Sequence, residues 1–277
     1  MASADNPPGL DVVTTGPGTK GKHRAAMATV RGTWTAGAGA TAEPFTRFAV
    51  EYAAQHRGRA IGILQAGCTT AGPELDLAAI RASGADLVVS RIDDDCPATR
   101  AAAESRPELR TATLAELRLV PLAPRSFDLV QCSMLLHRIV NADLVLDRLV
   151  GALRPGGLLL LRTGDRQTAA AAIDRMLPQF ARVLAMRLAR PGQPGPFPAR
   201  YEPIASERGI RAFIGRHGLV VVHRQAHQAE RGTGWLAVAA AARAVVGWLS
   251  GGRFTSGHDE LCYVIRKPED QFARVIH

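Results

Sequence analysis

The stretch SFDLVQCSMLLHRIVNADLVLDRLVGALRPGGLLLL, residues 126–161, decides the fold class. Its first apolar run, 127–132, predicts a buried strand whose polar end opens at the carboxyl edge of a sheet, where ligands of α/β folds bind. Apolar residues then recur at helical spacing from Leu144 to Leu153, with charged residues on the other side. Pro155 and the glycines after it end this helix, and 158–161 is a second buried strand.

The same alternation of strands and helices continues on both sides of this stretch. We predict strands at 61–65, 86–92, 109–113, 219–223 and 261–266, and helices at 43–56, 74–83, 98–105, 166–189, 207–217 and 235–249. Repeated crossovers of this kind require a mostly parallel sheet with helices on both faces. The sequence therefore predicts an α/β fold.

The chain has 277 residues, which is enough for one substantial core. Glycine and proline in 1–25 predict a flexible tail, and 26–277 is predicted to be a single domain. Most of the net charge of +9 falls in 178–258, which we interpret as a basic substrate cap. Either this region faces an anionic group, or it is a solvated basic face without a partner.

The four cysteines lack the paired spacing of a zinc or redox site, so we expect no metal and a reduced, cytoplasmic protein. No signal peptide is evident. The apolar run 235–249 is shorter than the roughly 20 residues that span a bilayer, so we expect no transmembrane segment. A homodimer contact is our expectation for this run. Nucleic-acid binding is not expected, because the arginines form no compact basic motif with stacking aromatic residues.

The SFD strand, the Leu136-His137 pair and the LRPGG turn together resemble the S-adenosylmethionine-dependent methyltransferase family with a Rossmann-like fold, class I and of small-molecule type. The resemblance implies a seven-stranded sheet whose final strand runs antiparallel beside the fifth, with a helical cap insertion. It also implies S-adenosylmethionine as the cofactor and a small-molecule acceptor as the partner.

In that family the first strand ends in an acid followed by a glycine-rich turn. Here the stretch is QAGCTTAG, residues 65–72: Gly67 and Cys68 match, whereas Gln65 replaces the acid and Thr69 occupies a glycine position. Gln65 can still accept a hydrogen bond from an ammonium group but without charge assistance. Gly72 restores flexibility if the turn is one residue longer. The resemblance thus predicts a degenerate cofactor loop.

Further cofactor contacts are implied at the ends of the next strands. Asp93 and Asp94 follow the second strand, where an acid binds ribose hydroxyls, and Asp93 aligns best; the alternative is an N-terminal cap for the helix 98–105. The remaining positions face adenine or the methionine end of the cofactor: Glu116, Leu117, Gln131, Cys132 and Ser133. An exposed loop glutamate is the alternative for Glu116.

His137 is the candidate catalytic base, because an imidazole of near-neutral pKa can take a proton from an attacking oxygen or nitrogen. A loop-stabilising role is the alternative. Together with His137, the predicted substrate-binding residues are Phe197, Tyr201 and Trp235. These aromatic residues pack either against the substrate or within the cap.

Two functions follow. The first is methyl transfer from S-adenosylmethionine to an oxygen, nitrogen or carbon of a small, anionic or amphipathic metabolite. The second is a catalytically inactive, methyltransferase-like binding or scaffold protein, which the altered positions Gln65, Thr69 and Ala71 favour.

Overall fold

A computed structural model describes residues 42–69, 75–178, 180–184, 196–227 and 258–269. The predicted tail at 1–25, the helix 235–249, most of the basic cap, and the candidate residues Gly72 and Trp235 lie outside these ranges.

Strands and helices alternate along the described chain. The strands are β1 (Ile61–Ala66), β2 (Leu87–Asp94), β3 (Thr113–Ala115), β4 (Phe127–Ser133), β5 (Leu153–Gly164), β6 (Val220–His227) and β7 (Glu260–Arg266). The helices are α1 (Ala42–Gln55), α2 (Leu77–Ala82), α3 (Pro97–Ser105), α4 (Ala142–Ala152), α5 (Ala169–Met176) and α6 (Glu207–Arg216).

All seven strands form one sheet in the order β3-β2-β1-β4-β5-β7-β6. The first five strands pair in parallel, and β7 is antiparallel to both β5 and β6. The predicted fold, including the antiparallel last strand beside the fifth, is confirmed. The strand order reverses between β1 and β4, so their carboxyl ends form the crevice in which open α/β sheets bind ligands.

Two predicted elements were misplaced. The third strand was predicted at 109–113 but lies at Thr113–Ala115, because Pro107–Leu109 forms a 3₁₀ turn that buries Leu109. The helix predicted at 166–189 begins only after the N-cap Thr168 and is interrupted: α5 ends at Met176, two residues before Pro178, and residues 180–184 are helical again. The pattern of apolar residues does not by itself predict where these two elements begin and end.

The core lies on both faces of the sheet. On one face, α1 and α2 pack on residues such as Ile63 and Leu160. On the other, α4 and α6 pack on residues such as Val130, Leu161 and Tyr263. The α/β alternation thus buries every central strand on two sides, which explains their near-continuous apolar sequences.

Asp128, the acid of the SFD motif, joins four parts of the fold at the amino end of β4. Its fully buried carboxylate accepts hydrogen bonds from Arg59 Nη2 at 2.6 Å, Arg154 Nη1 at 2.7 Å, the Gly62 amide at 2.8 Å and the Tyr52 hydroxyl at 3.3 Å. Burial alone would raise the pKa of Asp128, but these partners outweigh it and the pKa lies below its ordinary value. The carboxylate is therefore ionised and fully paired.

The LRPGG segment at the start of β5 packs against the backbone of the same residue. A Cβ on Gly157 would lie 2.7 Å from the Asp128 carbonyl oxygen and 2.9 Å from that of Arg154, so no other residue fits there. Gly156 has a φ of +79°, a conformation that other residues rarely adopt. The SFD and LRPGG motifs therefore occur together because they form one structural unit.

We predict that Asp128→Ala destabilises the fold by about 2–3 kcal/mol, because the Gly62 amide and the Tyr52 hydroxyl lose their acceptor, while Arg59 and Arg154 are exposed enough to be solvated. Asp143→Ala, which breaks the exposed pair between Asp143 and Arg216, is the control and should cost less than about 1 kcal/mol. Urea denaturation measures both. Because the pKa of Asp128 is lowered in the folded chain, its contribution is present at neutral pH and decreases as the pH falls below about 4. Equal effects of the two substitutions would contradict this.

Candidate cofactor and active site

The loop after β1 lies tightly against the end of β4. Gly67 has a φ of +82°, and its amide donates to the Ile92 carbonyl at 3.1 Å. A Cβ on Gly67 would lie 2.1 Å from the Ser133 carbonyl oxygen. Glycine is therefore required here both for its conformation and for the close approach of two backbone segments.

Thr69, which occupies a glycine position of the resembling family, is fully buried and turned towards Asp93. Its amide and its hydroxyl donate to Asp93 Oδ2, at 2.8 and 2.6 Å. The Arg106 guanidinium donates to the Thr69 carbonyl oxygen. The threonine side chain thus fastens the loop to the end of β2.

Asp93 is saturated by the chain itself. Besides the two bonds from Thr69, Asp93 Oδ1 accepts from the Asp94 amide at 2.8 Å and pairs with Arg138, whose side chain is 1% exposed. A carboxylate offers about four acceptor positions, and four donors occupy them here. The geometry therefore gives Asp93 a structural role, in contrast to the predicted ribose contact.

Asp94, the last residue of β2, presents a different carboxylate. It is half-buried, and no described residue donates a hydrogen bond to its side chain. Burial raises the pKa of Asp94, and Arg138 offsets only part of this effect. The N-cap of α3 is Cys96, not one of the aspartates, so capping does not account for Asp94.

Two glutamines lie side by side where β1 and β4 end. Gln65 and Gln131 are register partners, both are buried, and Gln65 Nε2 donates to Gln131 Oε1 at 2.9 Å. This orientation leaves Gln65 Oε1 without a donor among the described residues, so it can accept a hydrogen bond from a ligand. Gln65 thus keeps the acceptor that an acid would supply, but not the charge.

The cysteines of the site are not nucleophiles. Burial raises the pKa of Cys68 to about 12 and that of Cys132 to about 12, so both remain thiols at neutral pH. Cys68 Sγ lies 3.7 Å from the Ile92 carbonyl oxygen. Cys132 is fully buried in the core and Ser133 follows it at the sheet edge.

The two candidates for adenine contact differ in exposure. Leu117 is buried in the core, whereas Glu116 lies after β3 with 46% of its side chain exposed and pairs with Arg118. This geometry agrees with the exposed loop glutamate that sequence reasoning left open.

His137 connects the loop after β4 to the end of β5. Its Nδ1 accepts from the Gly164 amide at 3.3 Å and lies 3.4 Å from Thr163 Oγ1. Burial lowers the pKa of His137 to about 3. The ring is therefore neutral at physiological pH, and since Nδ1 accepts, the ring proton resides on Nε2. This geometry makes His137 a hydrogen-bond donor and suits the loop-stabilising alternative.

The predicted substrate residues Phe197 and Tyr201 reach the same edge. The His137 and Tyr201 rings lie 5.3 Å apart, and the Tyr201 amide donates to the His137 carbonyl oxygen at 2.8 Å. Arg138 places its guanidinium 4.9 Å from the centre of the Phe197 ring. Sequence reasoning missed Arg138, although a charge between the apolar residues Leu136 and Ile139 is a signal that it is buried with a partner.

A family model described as a methyltransferase domain matches residues 64–161. Over these residues the chain is similar to that family. The match begins within β1, includes β2, β3 and β4, and ends within β5. No curated protein matches the sequence significantly.

Solved structures with a similar fold include a S-adenosylmethionine-dependent methyltransferase from Mesorhizobium loti, with 19% identity over 82% of this chain and 98% of that chain and a TM-score of 0.45. Phosphoethanolamine N-methyltransferase 2 of Haemonchus contortus, in complex with S-adenosyl-L-methionine, has 16% identity over 80% of this chain and 53% of that chain, with a TM-score of 0.41.

Two further observations concern metal binding and membrane-spanning helices. Within the described ranges, no group of three or more histidine, cysteine or acidic residues could hold a metal ion. None of the described helices has both the length and the apolar character needed to cross a membrane.

We predict that Asp93→Asn and Asp94→Asn separate structure from binding. Asp93→Asn should destabilise the fold by about 3 kcal/mol, because Arg138 loses its buried partner. Asp94→Asn should change the free energy of unfolding by less than about 1 kcal/mol. Urea denaturation tests this, and a larger loss in Asp94→Asn than in Asp93→Asn would contradict the assignment.

We also predict that His137 does not titrate between pH 5 and 8. In a sample with ¹³C-labelled histidine, its ring resonances should stay constant over this range, because the pKa of about 3 lies below it. The variant His137→Asn assigns the signal. A midpoint between pH 6 and 7 would restore the catalytic-base hypothesis.

Proposed function

We propose that this protein transfers the methyl group of S-adenosylmethionine to an oxygen, nitrogen or carbon atom of a small molecule. One observation carries the proposal: within the segment that matches the family model, the tight Gly67 turn lies at the sheet's reversal point, beside the end of β2, where the Asp94 carboxylate accepts no hydrogen bond from the described residues. A close backbone approach beside a free carboxylate suits a ligand with a ribose diol.

In this proposal different residues contact different parts of the cofactor. Gln65 Oε1 would accept a hydrogen bond from the ammonium group, and Asp94 would accept from the ribose hydroxyls. The protein backbone at Gly67 and Cys68 would lie against the cofactor, and Ser133 would lie near the reactive methyl end of the cofactor. Because Gln65 is uncharged, we expect weaker binding than an acid at this position would give.

S-adenosylmethionine, when bound, supplies an electrophilic methyl group on a sulfonium sulfur. The protein then has to hold the acceptor in line and exclude water, which positioning groups alone can achieve. His137, with its pKa of about 3, is too weak a base to remove a proton at neutral pH. In this proposal His137 Nε2 donates a hydrogen bond to the acceptor, and Phe197 and Tyr201 border it.

The alternative is a binding or scaffold protein that no longer transfers a methyl group. The observation that favours it is the loop of Gly67 and Thr69, which is fastened to Asp93 by the chain itself. A loop closed in this way does not require a cofactor to hold it. The two functions differ in whether the folded protein binds the cofactor at all.

Isothermal titration of the full chain with S-adenosylmethionine and S-adenosylhomocysteine tests the proposal. We expect saturable binding of both, with one site per chain. Asp94→Asn should weaken this binding about tenfold, a loss of one charge-assisted hydrogen bond. Absence of binding by folded protein would favour the alternative.

A matched pair of glycine variants tests the site of binding. Gly67→Ala should abolish cofactor binding, because its Cβ would collide with the Ser133 carbonyl oxygen. Gly84→Ala is the control: Gly84 also has a positive φ, of +86°, but its Cβ would meet nothing within 4 Å. Both substitutions carry the backbone cost, about 1 kcal/mol. Retained affinity in folded Gly67→Ala would place the cofactor elsewhere.

A further inference from the structure

A second polar cluster lies at the same edge of the sheet, where β5 and β6 end and β7 begins. Arg162 Nε and Nη2 lie 2.7 and 2.5 Å from Glu260 Oε2, and both side chains are more than nine-tenths buried. His227 pairs with Glu260 in register and is itself buried. Arg162 pairs in register with Ser133, so the cluster adjoins the methyltransferase site.

Two nitrogen atoms of this cluster are buried without a hydrogen-bond partner among the residues that the structure describes. They are Arg162 Nη1 and His227 Nε2. Buried polar groups are nearly always satisfied, so each of these atoms requires a partner that the described residues do not supply, and a ligand group can supply it. Two such atoms around one ion pair are a stronger indication than either alone.

The charge of the cluster determines what kind of group fits. Glu260 already neutralises Arg162, and burial, with Arg162 and His223 adding to it, lowers the pKa of His227, so that the imidazole is uncharged. Just before β7, His258 Nε2 lies 2.9 Å from Asp165 Oδ2. The cluster therefore has no excess positive charge with which to hold a carboxylate or phosphate beside Glu260.

Several arginines of the basic segment 178–258 are also paired with acids. Within the part of it that the structure describes, four form ion pairs with acids: Arg182 with Asp174, Arg211 and Arg224 with Glu207, and Arg216 with Asp143. The positive charge of this segment is thus partly neutralised within the fold. It does not by itself require an anionic substrate.

We propose that Arg162 Nη1 and His227 Nε2 form a subsite that binds an uncharged oxygen-bearing group, a hydroxyl or an amide, of the methyl acceptor. The inference rests on the proposed methyl transfer and narrows its substrate class. A hydroxyl or amide oxygen accepts from the guanidinium N–H without placing a second anion beside Glu260. A hydroxyl can also donate to the imidazole if Nε2 carries no proton.

Acetamide and acetate are suitable probes, because they have nearly the same shape and differ in charge. The full chain with ¹³C-labelled histidine is titrated with each, and the His227 ring resonances, assigned with His227→Phe, are followed by NMR. We expect acetamide to shift them saturably and acetate to bind at least fivefold more weakly. Tighter binding of acetate, or no shift by either probe, overturns the proposal.

Arg162→Lys keeps the charge opposite Glu260 but removes the Nη1 donor. We expect it to weaken acetamide binding at least fivefold in protein that stays folded, to lower the thermal unfolding midpoint because lysine cannot make both bonds to Glu260, and to leave the affinity for S-adenosylhomocysteine unchanged. Arg216→Lys, at an exposed ion pair, is the matched control and should change none of the three. Unchanged acetamide affinity in folded Arg162→Lys also overturns the proposal.

The two proposals fail in different ways. If the wild type binds acetamide at His227 but not S-adenosylhomocysteine, the subsite stands and the proposed methyl transfer fails. If it binds S-adenosylhomocysteine but acetamide leaves His227 unaffected, the methyl transfer stands and the subsite fails.

Discussion

The fold depends on one buried anion. Asp128 would be costly in the core if it were unpaired, and it is stable there because two arginines, a backbone amide and a tyrosine hydroxyl converge on it. These donors come from the helix α1, the loop after it, β1 and the start of β5. The carboxylate thereby sets how the two central strands align, and this alignment brings the ends of β1 and β4 together at the opposite edge.

At that opposite edge, a second buried anion has a different task. Asp93 holds Thr69 in the loop after β1, and Arg138 extends this contact to Phe197. Residues 69, 93, 138 and 197 are far apart in the sequence and lie in one continuous set of contacts. This edge of the sheet is therefore built on side chains that stabilise each other, while Gln65 Oε1 and the Asp94 carboxylate accept no hydrogen bond from the described residues.

Much of the fold could be predicted from sequence, because the relevant signals are local. The apolar strand, the amphipathic helix and the glycine turn of 126–161 each have a short-range cause, and Gly67 was recognised for the same reason. Thr69 shows the limit. Its residue type showed only that the loop departs from the glycine-rich pattern, whereas its hydroxyl donates to Asp93, and no local pattern in the sequence predicts that contact. The sequence also favoured Asp93 over Asp94 as the ribose contact, because it does not show which of the two adjacent acids pairs with Arg138. The third strand was predicted too early in the sequence, because an apolar residue such as Leu109 can be buried in a turn as well as in a strand.

The saturated carboxylate of Asp93 has a consequence for the thermodynamics of ligand binding. A glycine-rich loop that is held by few contacts loses conformational entropy when its ligand arrives, and this loss weakens binding. Here the Gly67 amide, the Thr69 amide and hydroxyl, and the bond from Arg106 to the Thr69 carbonyl oxygen fix residues 67–69 when the chain folds. These three residues are therefore preorganised, and a ligand that contacts them binds there with little ordering cost.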